Sequence, residues 1–287
     1  MNDQAANLRR KIELLKATKQ AKTIAVVSGK GGVGKSNFAL NFSISLAKKN
    51  KKVLVFDLDI GMGNIDILMG LSPKQSIVNM FTHNLSIHDI IELGPYSLSY
   101  VAAGSGLQDI FTVDESKFNY FLAQLEELTS NYDYIVFDMG AGVAEGSIYF
   151  TLSADECIVV TTPEPTALTD AYAMIKHITG KQFELPIYLL VNRAHDQKMG
   201  QDTLDRLKKV VNQFLKKEIK SLGILPEDKT VFMAVSRQTP YVIYDPKALV
   251  SKTITQLAEQ YLSGKIDINK KVPYSFINKL KHLIKER

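Results

Sequence analysis

Thr23-Ile24-Ala25-Val26-Val27-Ser28-Gly29-Lys30-Gly31-Gly32-Val33-Gly34-Lys35-Ser36 is the stretch whose reading decides the fold. An apolar run ends in a glycine-rich turn, and an amphipathic helical pattern runs on from Lys35 to Lys49. This strand–loop–helix order is the context in which G-x-x-x-x-G-K-[ST] holds nucleotide phosphates. Glycines let backbone N–H groups crowd around phosphate oxygens, and the helix N-terminus adds positive potential. Lys35 is expected to neutralise the β- and γ-phosphates, and the Ser36 hydroxyl to ligate Mg²⁺.

Downstream, apolar runs recur at Lys52–Asp57, Tyr134–Asp138, Cys157–Thr161 and Ile187–Asn192, with a weaker one at Leu98–Ala102. Helical patterns fall between them, near 115–130, 167–179, 201–219 and 247–262. Such alternation predicts an α/β fold of the P-loop kind, a mostly parallel sheet with helices on both faces. The expected domain spans 23–263, preceded by a helical segment in 1–22 and followed by a linker and amphipathic helix in 264–287.

The second strand ends Phe56-Asp57-Leu58-Asp59. Period-two spacing puts both carboxylates on one side of the chain, at the edge where open α/β sheets bind ligands. Tyr134-Ile135-Val136-Phe137-Asp138 is an apolar strand ending in a carboxylate, the Walker B pattern, and Asp138 is a candidate Mg²⁺ residue. Asn192 ends another strand, and its amide offers one donor and one acceptor for the N6/N7 edge of adenine. No N-K-x-D run is present, which favours ATP over GTP.

Lys30 follows the first glycine of the loop. With it, Lys30-Gly31-Gly32-Val33-Gly34-Lys35-Ser36 resembles the deviant Walker A ATPases of the MinD/ParA type, whose mark is K-G-G-x-G-K-[ST]. The resemblance covers about residues 23–262. It implies that Lys30 reaches the nucleotide of a second copy, so that ATP is sandwiched in a homodimer. It implies further that Asp59 orients the attacking water, that Asp57 lies near the magnesium, and that Asn192 and Pro226 cradle the adenine. Lys30 and Asp59 are thus the catalytic candidates. Gly29, Lys30, Gly31, Gly32, Val33, Gly34, Lys35, Ser36, Asn192 and Pro226 are the ATP-binding ones. Ser36, Asp57 and Asp138 are the metal candidates. Relatives usually read D-x-P-A-G where this chain reads Asp138-Met139-Gly140-Ala141-Gly142, and the missing proline predicts a more mobile loop there.

The two ends carry their own patterns. Phe276, Ile277, Leu280, Leu283 and Ile284 form one apolar stripe of a helix, with Lys279, Lys281, Lys285 and Arg287 on the rest of its surface. A basic amphipathic helix of this sort suits an anionic membrane surface, and two held in a dimer bind with avidity. At the other end, Asp3-Gln4-Ala5-Ala6-Asn7-Leu8-Arg9 resembles the start of the FlhG (YlxH, FleN) branch, MinD relatives that set flagellar number and placement. There, Asp3, Gln4, Ala5, Leu8 and Arg9 would activate the FlhF GTPase, and flagellar C-ring proteins would be further partners. The competing readings are a MinD-type division-site ATPase, a ParA-like DNA-partition ATPase, and a ligase or reductase on the same fold.

Composition bounds these choices. The net charge of +5 separates into +4 over 1–22, −4 over 23–264 and +5 over 265–287. A slightly acidic body disfavours a nucleic-acid platform, which would cluster Lys and Arg on the fold itself. The single cysteine, Cys157, cannot build a multi-cysteine cluster site within one chain and argues for a reducing compartment. No secretory signal is read at the start, so the expected location is cytoplasmic, at the inner membrane face when ATP is bound. The five histidines lack ligand spacing, and no metal beyond the nucleotide's Mg²⁺ is expected.

Overall fold

The computed structural model describes residues 20–59, 63–102, 115–142, 148–264 and 276–285, with backbone alone at 115–118 and 284–285. An eight-stranded sheet runs in the order β3-β4-β2-β5-β1-β6-β7-β8. The strands are β1 Lys22–Val27, β2 Val53–Leu58, β3 Glu92–Leu93, β4 Ser99–Val101, β5 Tyr134–Met139, β6 Glu156–Thr161, β7 Ile187–Ala194 and β8 Lys220–Pro226. All neighbours pair parallel except the two-residue β3, which is antiparallel to β4. The parallel strands are apolar runs with both faces covered, so their residues are buried almost without break.

Helices cover the two faces: α1 Lys35–Ala47, α2 Ile65–Met69, α3 Ile77–Thr82, α4 Glu115–Thr129, α5 Ile148–Ser153, α6 Pro165–Lys181, α7 Gln197–Leu215, α8 Lys229–Ser236, α9 Tyr241–Tyr244, α10 Leu249–Leu262 and α11 Phe276–Lys285. One core lies under α1 and α10, with Phe38, Phe42 and Tyr261 at its centre. The other lies under α4, α5, α6, α7 and α11, around Phe121, Phe137 and Phe150.

The expected 201–219 helix sits earlier than its pattern suggested. Asp196 caps α7 by accepting from the Met199 N–H at 2.7 Å. Lys216 then takes a left-handed φ of 54° and ends it, and the buried Lys217 donates to the Phe183 carbonyl, turning the chain toward β8. The short helices α2, α3, α5, α8 and α9 were absent from the sequence reading. Each is too short to show period 3.6, and α3 and α8 are set by caps: a Ser76–Asn79 capping box and an Asp228 N-cap.

The C-terminal helix α11 is folded onto the body. Phe276, Ile277 and Leu280 are buried, and Leu283 packs against the same core. The Phe276 ring stacks on Phe137 at 5.0 Å, one residue before Asp138. Lys279 reaches Asp155 at 3.6 Å, and Lys281 reaches Glu126 at 3.5 Å. The apolar stripe expected to face a membrane is therefore covered in this form of the molecule. Of the expected helical segment in 1–22, residues 1–19, including Asp3, Gln4, Ala5, Leu8 and Arg9, lie outside the described residues, as do most of the 264–273 linker and the Ile284 side chain, while Lys22 already belongs to β1.

Candidate functional site

The phosphate loop leaves β1 at Ser28 and enters α1 at Lys35. Two glycines have no substitute there. A Cβ on Gly29 would overlap the Asp170 carbonyl of α6, and Gly34 has a φ of 90° with the Asn192 amide pressed against it. Gly34 is also the N-cap of α1, so its left-handed turn aims the first N–H groups of the helix into a cleft of about 310 Å³. Ser28, Gly31, Gly32, Lys35, Ser36 and Asp59 line that cleft, which brings together the loop and the first switch residue as the motif spacing required.

Register places the carboxylates. Asp57 in β2 stands directly opposite Asp138 in β5. Both are buried, at 2% and 0% exposure. Lys35 is 6% exposed, and its ammonium lies 2.7 Å from Asp138 Oδ1. Burial pushes the Asp138 carboxyl upward, against the downward pull of the Lys35 cation and a hydrogen bond from Ser36. Asp138 Oδ2 is buried with no hydrogen-bond partner. A buried, orphaned carboxylate oxygen beside the Ser36 hydroxyl is the hard-oxygen chemistry that suits Mg²⁺.

Asp57, another of the metal candidates, is held by the backbone that follows β2. Its Oδ1 accepts from the Asp59 N–H at 3.1 Å, and its Oδ2 accepts from the N–H groups of Asn64 and Ile65 at 2.8 and 3.1 Å. Both oxygens are engaged by backbone on the two sides of the loop that carries Asp59. Burial and the Asp138 carboxylate push the Asp57 carboxyl up to about 7. Asp59 faces the stretch that follows β5: a Cβ at Gly140 would lie 3.5 Å from Asp59 Oδ1, so the glycine found there leaves room for that carboxylate.

Lys30 is not among the residues that line the cleft of its own loop. Its ammonium pairs with Glu164 at 3.1 Å and donates to the Thr166 hydroxyl at 3.0 Å, both at the start of α6. Neither α6 residue was flagged by sequence, because nothing in the linear pattern joins positions 30 and 164.

A larger cleft of about 770 Å³, the candidate base site, adjoins the first. Asn192 and Pro226 line it as expected, together with Phe38, His195, Phe232 and Tyr241, which the sequence reading missed. Asn192 already spends one amide hydrogen on the Val33 carbonyl at 2.8 Å. Its side chain ties the phosphate loop to β7 as well as facing the base cleft. Arg193, with a left-handed φ of 55°, borders both clefts.

The raised Asp57 carboxyl gives a signed expectation. Between about pH 4 and pH 7 the native protein holds a proton that the unfolded chain has lost, so stability falls as pH rises through that window. In nucleotide-free protein, Asp57→Asn is expected to flatten this decline in urea-unfolding midpoints measured from pH 4.5 to 7.5. An unchanged slope would assign the decline to other groups.

Similarity to known proteins agrees with this site. The ParA family model, described as NUBPL iron-transfer P-loop NTPase, matches residues 19–262. The chain is 31% identical over 246 residues to the antiactivator FleN of Pseudomonas aeruginosa, covering 86% of this chain and 88% of that one. It is 34% identical over 265 residues to the flagellum site-determining protein YlxH of Helicobacter pylori, covering 90% and 89%. Among solved structures, the cell division ATPase MinD of Pyrococcus furiosus superposes with a TM-score of 0.70 at 24% identity, covering 85% of this chain and 99% of that one. MinD of Pyrococcus horikoshii, complexed with Mg-ADP, gives 0.69 at 24% identity, covering 85% and 98%. With its Walker loop, its buried Walker B carboxylate and relatives that span its length, the chain belongs to the ParA/MinD family of P-loop ATPases, in the branch that includes FleN and YlxH.

Proposed function

We propose that this chain is an ATP-driven dimerisation switch that sets flagellar number and placement. The observation that carries the reading is Lys30. A cation placed at the head of a phosphate loop is held outside that loop's own cleft by Glu164 and Thr166, where a second copy can meet it. The names of the relatives, an antiactivator and a flagellum site-determining protein, support the flagellar assignment.

In this reading ATP enters with its base against Asn192 and Pro226 and its phosphates on the loop. Lys35 moves from Asp138 to the β- and γ-phosphates. Ser36 and Asp138, with Asp57 beside them, would hold Mg²⁺, which would neutralise charge on the phosphate oxygens. A second copy brings its Lys30 to the γ-phosphate and closes the sandwich. Asp59 accepts a hydrogen bond from the attacking water. The water oxygen bonds to the γ-phosphorus as the bond to the β–γ bridging oxygen breaks, the water's proton passes to an oxygen of the transferred phosphate, and ADP and phosphate leave. Turnover is slow because it waits on association of two chains, and its output is timing.

The tails deliver that timing. Residues 3–9 act on the FlhF GTPase, with Gln4 contributing at its catalytic centre. C-ring proteins are the further partners. ATP-dependent dimerisation frees α11 from the body, and the paired helices bind the anionic inner face of the cell membrane. The acidic body supports this reading over DNA partition, and the resemblance of the 3–9 stretch to the FlhG start supports it over division-site placement.

Three outcomes are expected. Asp59→Ala lowers ATP turnover about 100-fold or more, in keeping with loss of a water-orienting carboxylate, and runs as a dimer with ATP and Mg²⁺ in size-exclusion chromatography; a monomer there would sink the sandwich. Deleting 274–287 abolishes ATP-dependent sedimentation with anionic liposomes and leaves dimerisation intact; unchanged sedimentation removes the membrane role. A peptide of residues 1–20 raises GTP hydrolysis by FlhF, and a flat response would favour the division-site alternative.

A further inference from the structure

We propose that the groove which holds α11 has a second occupant in the same chain, the N-terminal segment around Leu8, Ile12 and Leu15, which enters it when α11 leaves. The exchange itself needs neither nucleotide nor membrane; only its consequence for the two tails rests on the reading above.

In the structure α11 lies against α5 and α4. Its Phe276, Ile277 and Leu280 are buried, and Leu283 packs on the same core. The Phe276 ring stacks on Phe137 and lies 6.3 Å from Phe150. Beside it, Asp155 accepts from the Thr23 N–H and hydroxyl through Oδ2, at 2.9 and 2.8 Å. Oδ1 of the same carboxylate is buried without a hydrogen bond, and the Lys279 ammonium stands 3.6 Å from it. The groove thus takes a helix with apolar residues at i, i+4 and i+7, supplied by Phe276, Leu280 and Leu283, and a cation at i+3, Lys279.

The N-terminal stretch repeats that spacing. Leu8, Ile12 and Leu15 fall at i, i+4 and i+7, and Lys11 falls at i+3. It also starts from the right place. The Ala21 N–H donates to the carbonyl of Thr129, the last residue of α4, at 2.6 Å, and Ala21 belongs to the same core as Phe276 and Leu280. Thr23, two residues on, is bonded to the carboxylate that faces Lys279. Residues 17–20 reach about 13 Å when extended, enough to return the segment to a groove whose midpoint lies one side chain from Thr23.

The two occupants are not equal. Arg9 stands at the position of Ile277, which is 1% exposed, and has to carry its charged head out to water along an apolar stem. Glu13 stands at the position of Lys281, which pairs with Glu126. α11 therefore holds the groove first, and the N-terminal segment takes it only once α11 is gone. An emptied groove would open Phe137 and Phe150, both buried here, to water, a contiguous apolar surface that draws the nearest amphipathic segment. The chain then presents one tail at a time. With α11 docked, residues 3–9 are left to a partner; with α11 on a membrane, they are held on the body.

Hydrogen exchange of the full chain, read by mass spectrometry, tests this. In the parent protein the amides of 276–283 are expected to be protected and those of 8–16 to exchange fast. Leu280→Asp puts an unpaired charge in the groove and expels α11. The pattern should then invert: 276–283 lose protection, and 8–16 exchange at least about tenfold more slowly. A synthetic peptide of residues 274–287 in excess should reverse the slowing by retaking the groove, and Leu8→Asp in the same chain should abolish it. Release of α11 with 8–16 as fast as in the parent overturns the proposal. So does a slowing that the peptide or Leu8→Asp leaves unchanged, because the segment is then held elsewhere. If circular dichroism shows Leu280→Asp to be unfolded, Leu280→Ala loosens the same helix through a cavity instead of a charge. There 8–16 should slow at least about twofold, and parent-like exchange counts against the proposal. These samples contain no nucleotide, lipid or FlhF, so failure of the dimer, liposome or GTPase experiments above leaves their result standing.

Discussion

Two carboxylates, Asp57 and Asp138, stand side by side in register at the carboxyl edge of the sheet, both buried, with the Lys35 ammonium bonded to one of them. Like charges this close and this dry cannot both ionise freely. The structure resolves the conflict asymmetrically. Asp138 takes the lysine and Ser36, and Asp57 takes three backbone N–H groups. Much of the site's architecture follows from that division. The three N–H groups belong to the loop and helix after β2, so satisfying Asp57 also closes that loop around Asp59 and sets α2. Lys35 in turn is committed to a carboxylate rather than to solvent, poised for exchange onto phosphate. A nucleotide that removes Lys35 from Asp138 alters the electrostatics of both carboxylates at once, and through Asp57 it reaches the surface helix α2.

The same coupling runs through neutral groups. Asn192 ties β7 to the phosphate loop through the Val33 carbonyl, and Gly29 lets α6 lie directly on that loop. The base cleft, the phosphate loop and the helix that holds Lys30 therefore share contacts without intervening solvent. A loop so closely packed has few independent motions, which is how one bound nucleotide can be registered at several places.

The central sheet and the phosphate loop were legible in the sequence because their signals are local. Parallel strands buried on both faces read as apolar runs, and the loop has a spacing that its chemistry dictates. The antiparallel β3 has two residues and no pattern to read. The short helices are made by caps and tertiary contact rather than by periodicity. Asp57 and Asn192 were found by sequence, but their bonding was not: each satisfies backbone atoms several to many residues away, and only the fold brings those atoms near. The hold of Glu164 and Thr166 on Lys30 is hidden for the same reason.

The C-terminal helix shows a harder limit. An apolar stripe at helical spacing is the same whether it meets lipid or protein, so the pattern of Phe276, Ile277, Leu280 and Leu283 could not distinguish the two. In the structure, Phe276, Ile277 and Leu280 are buried on the body. Burying a large apolar side chain is worth about 1.5–3 kcal/mol, so these three contribute on the order of 5–9 kcal/mol of gross burial to docking. Insertion at a membrane interface would return a comparable amount, because the hydrophobic effect does not distinguish the solvent-free destination. With the apolar terms nearly cancelling, the balance falls to smaller contributions. On an anionic membrane Lys279 and Lys281 would exchange Asp155 and Glu126 for headgroups, and the proposed dimer would present two helices together. A helix balanced in this way needs only a small push, and the stacking of Phe276 on Phe137, next in sequence to Asp138, puts its docking site beside the carboxylate that Lys35 holds.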